Sequence, residues 1–473
     1  MTDSTDRTVS LGPLPYVVAA TFFMEYLDTT IIATALPQMA HSFSTSPNAL
    51  SLGMSAYMIA LAIFIPASGW VADRFGSRSV FFSAIVTFTL ASLLCGISQN
   101  VEQFTAARVL QGIGGALMVP VGRLTVVRSV DKKQLMQAIS TITWPGIVAP
   151  VVGPPIGGFI TTYASWRWIF LLNLPVCLVV LLAVLKWVPN LRSGERRPFD
   201  VTGLILSGLS LTAILYGADM ASQPDTNPWV GLAVIAVGLV IGVIAYRHAL
   251  VARHPLIDVT TLRIPTFSVT VVTGTFTRIG IGAVPYLMPL LFQIGFGLSA
   301  FKSGLLLLAS ALGNLGMKAL TTGILKRHGF RNVAIINCAV CGAFTIACGL
   351  LTPASPLVLT LLVIFVYGVT RSMQFTSLAT LAYADVPTQQ MSAANTMWNA
   401  AMQMSIGLGI AFGALALRTA SAYHGKDGAH AHTFTLDDFR LAFLAAGVVT
   451  LVSIYGYVKL SRDAGHKLSG ASR

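Results

Sequence analysis

Two acidic side chains, Glu25 and Asp28, stand in the middle of an apolar run from Pro15 to Pro37. Of the 17 acidic residues, these are the two set deep in an apolar run. Their i, i+3 spacing places them on nearly one helix face, a turn apart. An ionised carboxylate in such surroundings is costly, so it must face water, a cation or another polar group. Two carboxylates so close resist ionising together. Such a pair could take a proton from one side of a membrane and release it to the other. A structural, hydrogen-bonded pair is the alternative. Arg108 is the natural partner, early in a later apolar run and just before Gln111-Gly112-Ile113-Gly114-Gly115. Those small residues permit close helix approach. An arginine bonded to backbone carbonyls alone is the competing reading.

Three cations, Arg278, Lys318 and Arg371, lie in apolar runs of the C-terminal half, where no buried acid is found. They could attract an anion across a cavity from Glu25 and Asp28. Equally, they could snorkel or bond to backbone, which suits Lys318 best. Gln111, Trp144, Gln374, Asn395, Trp398 and Asn399 are candidates for lining the same cavity. Amides and aromatic rings suit flat or cationic organic molecules, although ordinary packing explains any one ring as well. His424, His430 and His432 crowd one polar loop, which reads as a solvated segment. Cys95, Cys177, Cys338, Cys341 and Cys348 all lie in apolar runs, so no disulfide framework is implied. No phosphate-binding GxxxxGK[ST] loop, HExxH or GxSxG motif occurs. Neither a metal nor a cofactor is expected, and no enzyme chemistry.

The elements that must hold these groups follow from composition. The chain has 473 residues, 55% hydrophobic and 10% charged, against about 25% charged in a soluble domain. Mean hydropathy is +0.75. Disorder and a soluble fold are both excluded. What remains is an all-α polytopic membrane protein with helices of roughly 20 apolar residues. Fourteen runs are found, near 15–37, 50–71, 80–98, 102–126, 137–161, 167–189, 201–219, 229–248, 267–293, 302–324, 332–351, 356–380, 391–418 and 439–459. With a cytoplasmic N-terminus, 21 Lys and Arg fall on cytoplasmic segments, 123–133 among them, and five on the other face. That asymmetry predicts both termini in the cytoplasm. The net charge of +13 therefore reflects topology, not nucleic-acid binding.

Gly76-Ser77-Arg78 and Gly329-Phe330-Arg331 occupy corresponding loops, a weak internal repeat. It suggests two six-helix bundles with two helices inserted, divided as 1–189, 190–263 and 264–473. Many secondary transporters build a midplane site between such halves. The turn from Gly69 through Asp73, Arg74 and Gly76 to Arg78 could cap a helix, pair with a neighbour or simply be solvated. Gly146 and Pro150 precede Gly153-Pro154-Pro155-Ile156-Gly157-Gly158, and prolines so close should kink a helix. The glycines allow another backbone to pack tightly.

Taken in order, these pieces resemble the major facilitator superfamily, in particular its fourteen-helix drug/proton antiporters and their MdtD-like multidrug exporter branch. The Gly69–Arg78 turn resembles that family's loop motif, and Arg108 with Gln111-Gly112 its fourth-helix motif. Gly153-Pro154 with Gly157-Gly158 resembles the antiporter motif. Leu27-Asp28-Thr29-Thr30 through Leu36-Pro37, and Trp166-Arg167-Trp168 through Asn173-Leu174-Pro175, resemble motifs of the fourteen-helix branch. Ala149 and Ser77 depart from the usual Gly and Arg, and Lys326 stands where Asp73 stands in the first half. The resemblance implies proton coupling by Asp28 and Arg108, with Glu25 beside them, and a cytoplasmic gate at Asp73, Arg74 and Arg78. It implies a hinge at Gly146, Pro150, Gly153, Pro154, Gly157 and Gly158.

The expected protein is a monomeric, proton-coupled exporter of drug-like lipophilic or cationic compounds in the bacterial inner membrane, working by alternating access. Its partners are a small-molecule substrate, protons and the lipid bilayer. The alternative is an exporter of an anionic metabolite or lipid that uses Arg278 and Arg371.

Overall fold

The computed structural model describes residues 12–130, 134–192, 198–222, 227–387, 390–424, 434–461 and 464. His430 and His432 lie outside them. Among the described residues there are fourteen helices long and apolar enough to cross a bilayer, and no strand. In lipid every backbone polar group must be satisfied within its own segment, which helices do. The helices are α1 (Leu14–Thr34), α2 (Pro47–Phe75), α3 (Ser77–Ile97), α4 (Val101–Ser129), α5 (Gln137–Tyr163), α6 (Arg167–Trp187) and α7 (Val201–Ala218). They continue as α8 (Trp229–Val251), α9 (Pro265–Gly295), α10 (Ala300–His328), α11 (Phe330–Gly349), α12 (Leu357–Ala382), α13 (Ala393–Tyr423) and α14 (Leu436–Val458).

Polar residues mark where several helices begin. Ser46, Asn100, Asn227 and Ser299 each accept a bond from a backbone N–H in the first turn of α2, α4, α8 and α10, filling orphan donors. Gly76 and Gly329 start α3 and α11 with φ of 94° and 75°, a backbone region that favours glycine. The weak sequence repeat therefore marks a repeated turn geometry. One boundary moves: residues 127–129, counted with the loop after the run at 102–126, are still helical in α4. The prolines at 145, 150, 154 and 155 lie within one helix over Leu135–Tyr163, to which α5 belongs.

Packing repeats along the chain. In the first six helices α1 packs on α5, α2 on α4 and α3 on α6; among the last six, α9 packs on α13, α10 on α12 and α11 on α14. The two sets meet along α5–α10 and α2–α13. Glycines set these approaches. A Cβ on Gly157 would lie 2.5 Å from the Ile31 carbonyl of α1, and one on Gly158 would strike the Ala300 carbonyl of α10.

Hydrogen bonds join the two sets at one end. Gln293 Nε2 donates to Thr34 O (3.0 Å), Phe301 N to Thr162 Oγ1 (3.0 Å), Tyr286 Oη to Asn48 Oδ1 (2.6 Å) and Asn48 Nδ2 to Ala414 O (3.2 Å). Phe159 and Tyr163 close on Phe301, each with ring centroids 6.0 Å apart. At the other end Trp144 is 58% exposed, and Gly316 and Gly323 face open space. The bonds and rings between the two sets thus close the molecule at the end that holds residues 34–48.

Helices α7 and α8 pack chiefly on each other. A Cβ on Gly217 would lie 2.7 Å from the Gly231 carbonyl. Leu215 of α7 clusters with Ala56 and Ile59 of α2 and Ala411 of α13, so the pair lies along the α2–α13 seam. Phe199 stacks on Trp70 with centroids 4.6 Å apart. Asp200 caps α7 through Gly203 N (2.8 Å), and accepts from Leu256 N (3.0 Å) with His248 Nε2 2.8 Å away.

Candidate functional site

Five helices bring polar side chains together inside the first set. Asp28 of α1 is fully buried, as is Arg108 of α4. Arg108 Nη1 donates to Asp28 Oδ2 at 2.6 Å and to Gln111 Oε1 at 2.6 Å. Gln111 Nε2 donates to Asp28 Oδ1 (2.9 Å) and Ser92 Oγ (2.9 Å). Asn173 of α6 donates to the same two acceptors at 3.2 and 3.0 Å. The Arg108 guanidinium lies 4.1 Å from the centroid of the Tyr57 ring on α2. Asp28 therefore has three donors on its two oxygens and a cation beside it, the arrangement that a buried charge requires.

The packing that permits this follows from small residues. Cβ atoms on Gly112 and Gly114 would lie 2.6 Å from the Tyr57 carbonyl and 2.7 Å from Phe88 N. Substituted glycines would push α4 away from α2 and α3, and Arg108 away from its partners.

Glu25 is treated differently. It is 8% exposed, and its buried Oε2 has no hydrogen-bond partner among the described residues. The Tyr57 hydroxyl lies close by. Both border Gly115, where a Cβ would lie 3.2 Å from Tyr57 Oη and 3.7 Å from the Glu25 carboxyl carbon. One acid is pinned and its neighbour, a turn away, is not.

The remaining sequence candidates fall in three places. Gln111, expected to touch substrate, stands fully buried in the Asp28 network. Asp73 pairs with Arg128 of α4 at 2.7 Å, with both side chains about a third exposed; Arg74 is exposed and Arg78 half-buried. Gly146, Gly153 and Gly157 press α5 onto Tyr26, Thr30 and Ile31 of α1, while Pro154 meets Gly304 of α10 and Pro150 is half-buried.

In the last six helices, Arg278 of α9 is buried and bonded to the carbonyls of Thr270 (3.3 Å) and Val271 (3.0 Å), in a wide π turn over Val269–Thr273. It also donates to Ser405 and Thr275 hydroxyls at 3.3 Å. Trp398 covers it, with the guanidinium 5.0 Å from a ring centroid. Arg278, Trp398, Gln374, Thr277, Ile281, Phe375 and Leu378 line a narrow pocket. Arg371 lies 5.9 Å from the Phe375 ring. Tyr383 donates to the exposed Asn395, to which Asn399 also donates. Lys318 and Trp144 are exposed.

Sequence reasoning missed Ser92, Asn173 and Tyr57. Asn173 alone left a trace, as the one amide in the Trp166–Pro175 motif.

The sequence profile of the Major Facilitator Superfamily matches residues 18–410. A protein of Pectobacterium carotovorum subsp. carotovorum, named "Putative multidrug resistance protein MdtD", is 37% identical over 87% of this chain and 88% of its own. The protein of that name from Salmonella paratyphi A is 38% identical over 95% and 94%. Among solved structures, a D-xylose-proton symporter superposes with a TM-score of 0.67 at 15% identity, covering 95% of this chain and 98% of its own. A bacterial homologue of the human lysosomal transporter Spinster, solved inward-facing and unoccupied, also gives 0.67, at 14% identity, covering 98% and 100%. The chain belongs to the major facilitator superfamily. It is a multi-pass membrane transporter of small substrates, not an enzyme.

Proposed function

We propose that this member of the major facilitator superfamily is a proton-driven exporter of drug-like compounds that works by alternating access. The basic loops orient it, with 21 Lys and Arg on one face against five on the other, so the closed end faces outside and the end where α1 begins faces the cytoplasm. Substrate enters there, between the two sets of helices, while the Phe159–Tyr163–Phe301 cluster and the polar bonds beside it seal the outside. Export requires that seal to open and the cytoplasmic end to close, with Asp73, Arg74 and Arg78 at the closing end. The glycine face of α5, packed on α1 and α10, is the surface on which the two sets turn.

The single observation that carries the coupling is the inequality of the two acids. Asp28 is held by Arg108, Gln111 and Asn173. Among the described residues no donor holds the charge of Glu25, so it can gain and lose a proton with the least rearrangement. In this reading Asp28 and Arg108 form a fixed, neutral pair that positions α1 against α4. Glu25 is the group that trades its proton between the two sides. The multidrug names of the relatives support the drug-like class of cargo.

Reconstituted vesicles with an imposed pH gradient test this. Glu25→Gln is expected to bind ethidium as wild type does, yet to lose gradient-driven accumulation. Uphill transport by Glu25→Gln at the wild-type rate would remove Glu25 from the coupling.

A further inference from the structure

The α7–α8 pair is fastened differently at its two ends. At the closed end Arg418 of α13 donates from Nη1 to the Ala221 carbonyl just past α7. Arg418 stands one turn from Ala414, whose carbonyl accepts from Asn48 of the first set. At the cytoplasmic end the stack of Phe199 on Trp70 sets the start of α7 against α2. From there residues 252–264 run from the end of α8 to the start of α9, and so from one set of helices to the other.

Two anchors divide this stretch. Asp200, at the start of α7, accepts from Leu256 N at 3.0 Å while it caps Gly203 N at 2.8 Å. His248, in the last turn of α8, lies 2.8 Å from the same carboxylate. Asp200 thus gathers three segments at one point. Further on, Thr261 is fully buried and donates to the Met397 sulfur of α13 at 3.4 Å. Leu262 and Ile264 pack against the cluster that holds Ala394, Trp398 and Ala401 of α13. The first anchor therefore goes with α2 and the second with α13. An extended chain covers at most about 3.6 Å per residue, so the stretch from Leu256 to Thr261 reaches no further than roughly 18 Å. Without the Asp200 bond the free length would begin at Val251, where α8 ends, and could reach roughly 36 Å. The clasp halves the tether.

We propose that Asp200 is a positioning residue of the transport cycle: by clasping Leu256 it shortens the tether between α2 and α13 and limits how far the cytoplasmic ends of the two sets part. It acts through the length of chain it holds in place. The proposal rests on the alternating-access reading and adds a stop to the opening that this reading requires.

Distances between two spin labels test it in the detergent-purified full chain. Cysteines are placed at Val127 of α4 and at Met391, two residues before α13. Both positions are exposed, and the five native cysteines are buried, so the label goes to the new pair. Double electron–electron resonance then reads the separation across the α2–α13 seam at its cytoplasmic end. Asp200→Ala is expected to lengthen the longest populated separation by at least about 5 Å, well within the slack that the released residues allow. Leu256→Pro removes the N–H that Asp200 accepts and leaves Asp200 to cap Gly203. It should lengthen the separation equally, and it carries the test if the Ala variant does not fold. Where both fold, lengthening in neither, or in Asp200→Ala alone, overturns the tether; the second result would trace the change to the lost helix cap. Gradient-driven ethidium efflux by wild type separates the two ideas. Efflux with separations that the variants leave unchanged overturns the tether alone. Lengthening without any gradient-driven transport overturns the export reading and leaves the tether standing.

Discussion

Replacing Asp28 by Asn tests the division of labour between the two acids through stability alone. The change keeps the shape but turns one acceptor into a donor. Arg108 stays buried, 1% exposed, and loses its counter-charge. The new amide also meets either Arg108 Nη1, which now donates to Oδ2, or both Gln111 Nε2 and Asn173 Nδ2, which now donate to Oδ1, so donor faces donor. Breaking a buried pair by removing one partner costs about 3–5 kcal/mol. With an unfolding entropy of roughly 2 cal/mol/K per residue, a chain of this length would lose about 3–5 °C in melting temperature. Glu25→Gln removes no hydrogen bond from Oε2 and should melt within about 1 °C of wild type by the same scaling. Intrinsic-fluorescence melting in detergent reads both. In Asp28→Asn with Arg108→Gln, the loss should be smaller than the sum of the single losses, since the orphaned charge is gone. An Asp28→Asn protein as stable as Glu25→Gln would refute the idea that Asp28 is the pinned acid.

Other perturbations have equally definite outcomes. Gly158→Ala places a Cβ against the Ala300 carbonyl and should spring the sealed end, seen as faster labelling of a cysteine placed at Phe301. Asp73→Asn removes an Arg128 pair that is a third exposed, so unfolding should shift by no more than about 1 kcal/mol, while any larger effect on transport rate would report the gate. At Asp200, burial raises the carboxyl, but bonds from Gly203 N, Leu256 N and His248, with the His248 charge, outweigh it and hold the group below its usual 3.8. A lowered acid stabilises the fold above its unfolded value and loses that contribution as pH falls through the folded one. Asp200→Ala should therefore flatten the stability profile on the acid side below about pH 4 and cost about 1 kcal/mol at neutral pH as a lost cap. An unchanged acid limb in melting experiments would contradict that.

The charges in the membrane were the legible part of this molecule. Glu25, Asp28 and Arg108 stand out in the sequence because so few charges interrupt the apolar runs, and the pairing of Asp28 with Arg108 follows from scarcity of partners. All fourteen spans could be found for the same reason. Ser92, Asn173 and Tyr57 could not, because hydroxyls, amides and phenols are common in such helices, and only rotation about each helix axis decides which of them converge. Gln111 shows the same limit: its type suited a cavity wall, and its azimuth on α4 turned it to Asp28 instead. The partners of Arg278 are carbonyls of a wide turn, which no side-chain pattern announces. The last residues of α4, 127–129, were hidden because Arg128 and Ser129 read as the start of a polar loop.

The α7–α8 pair lies along the seam where α2 meets α13, and no described helix does the same for the seam where α5 meets α10. A bilayer-dissolved amphiphile therefore finds the two flanks of the protein unequal. One flank is shuttered by an extra layer of helix, and the other presents α5 and α10 directly to the acyl chains. The molecule has a front and a back in the plane of the membrane.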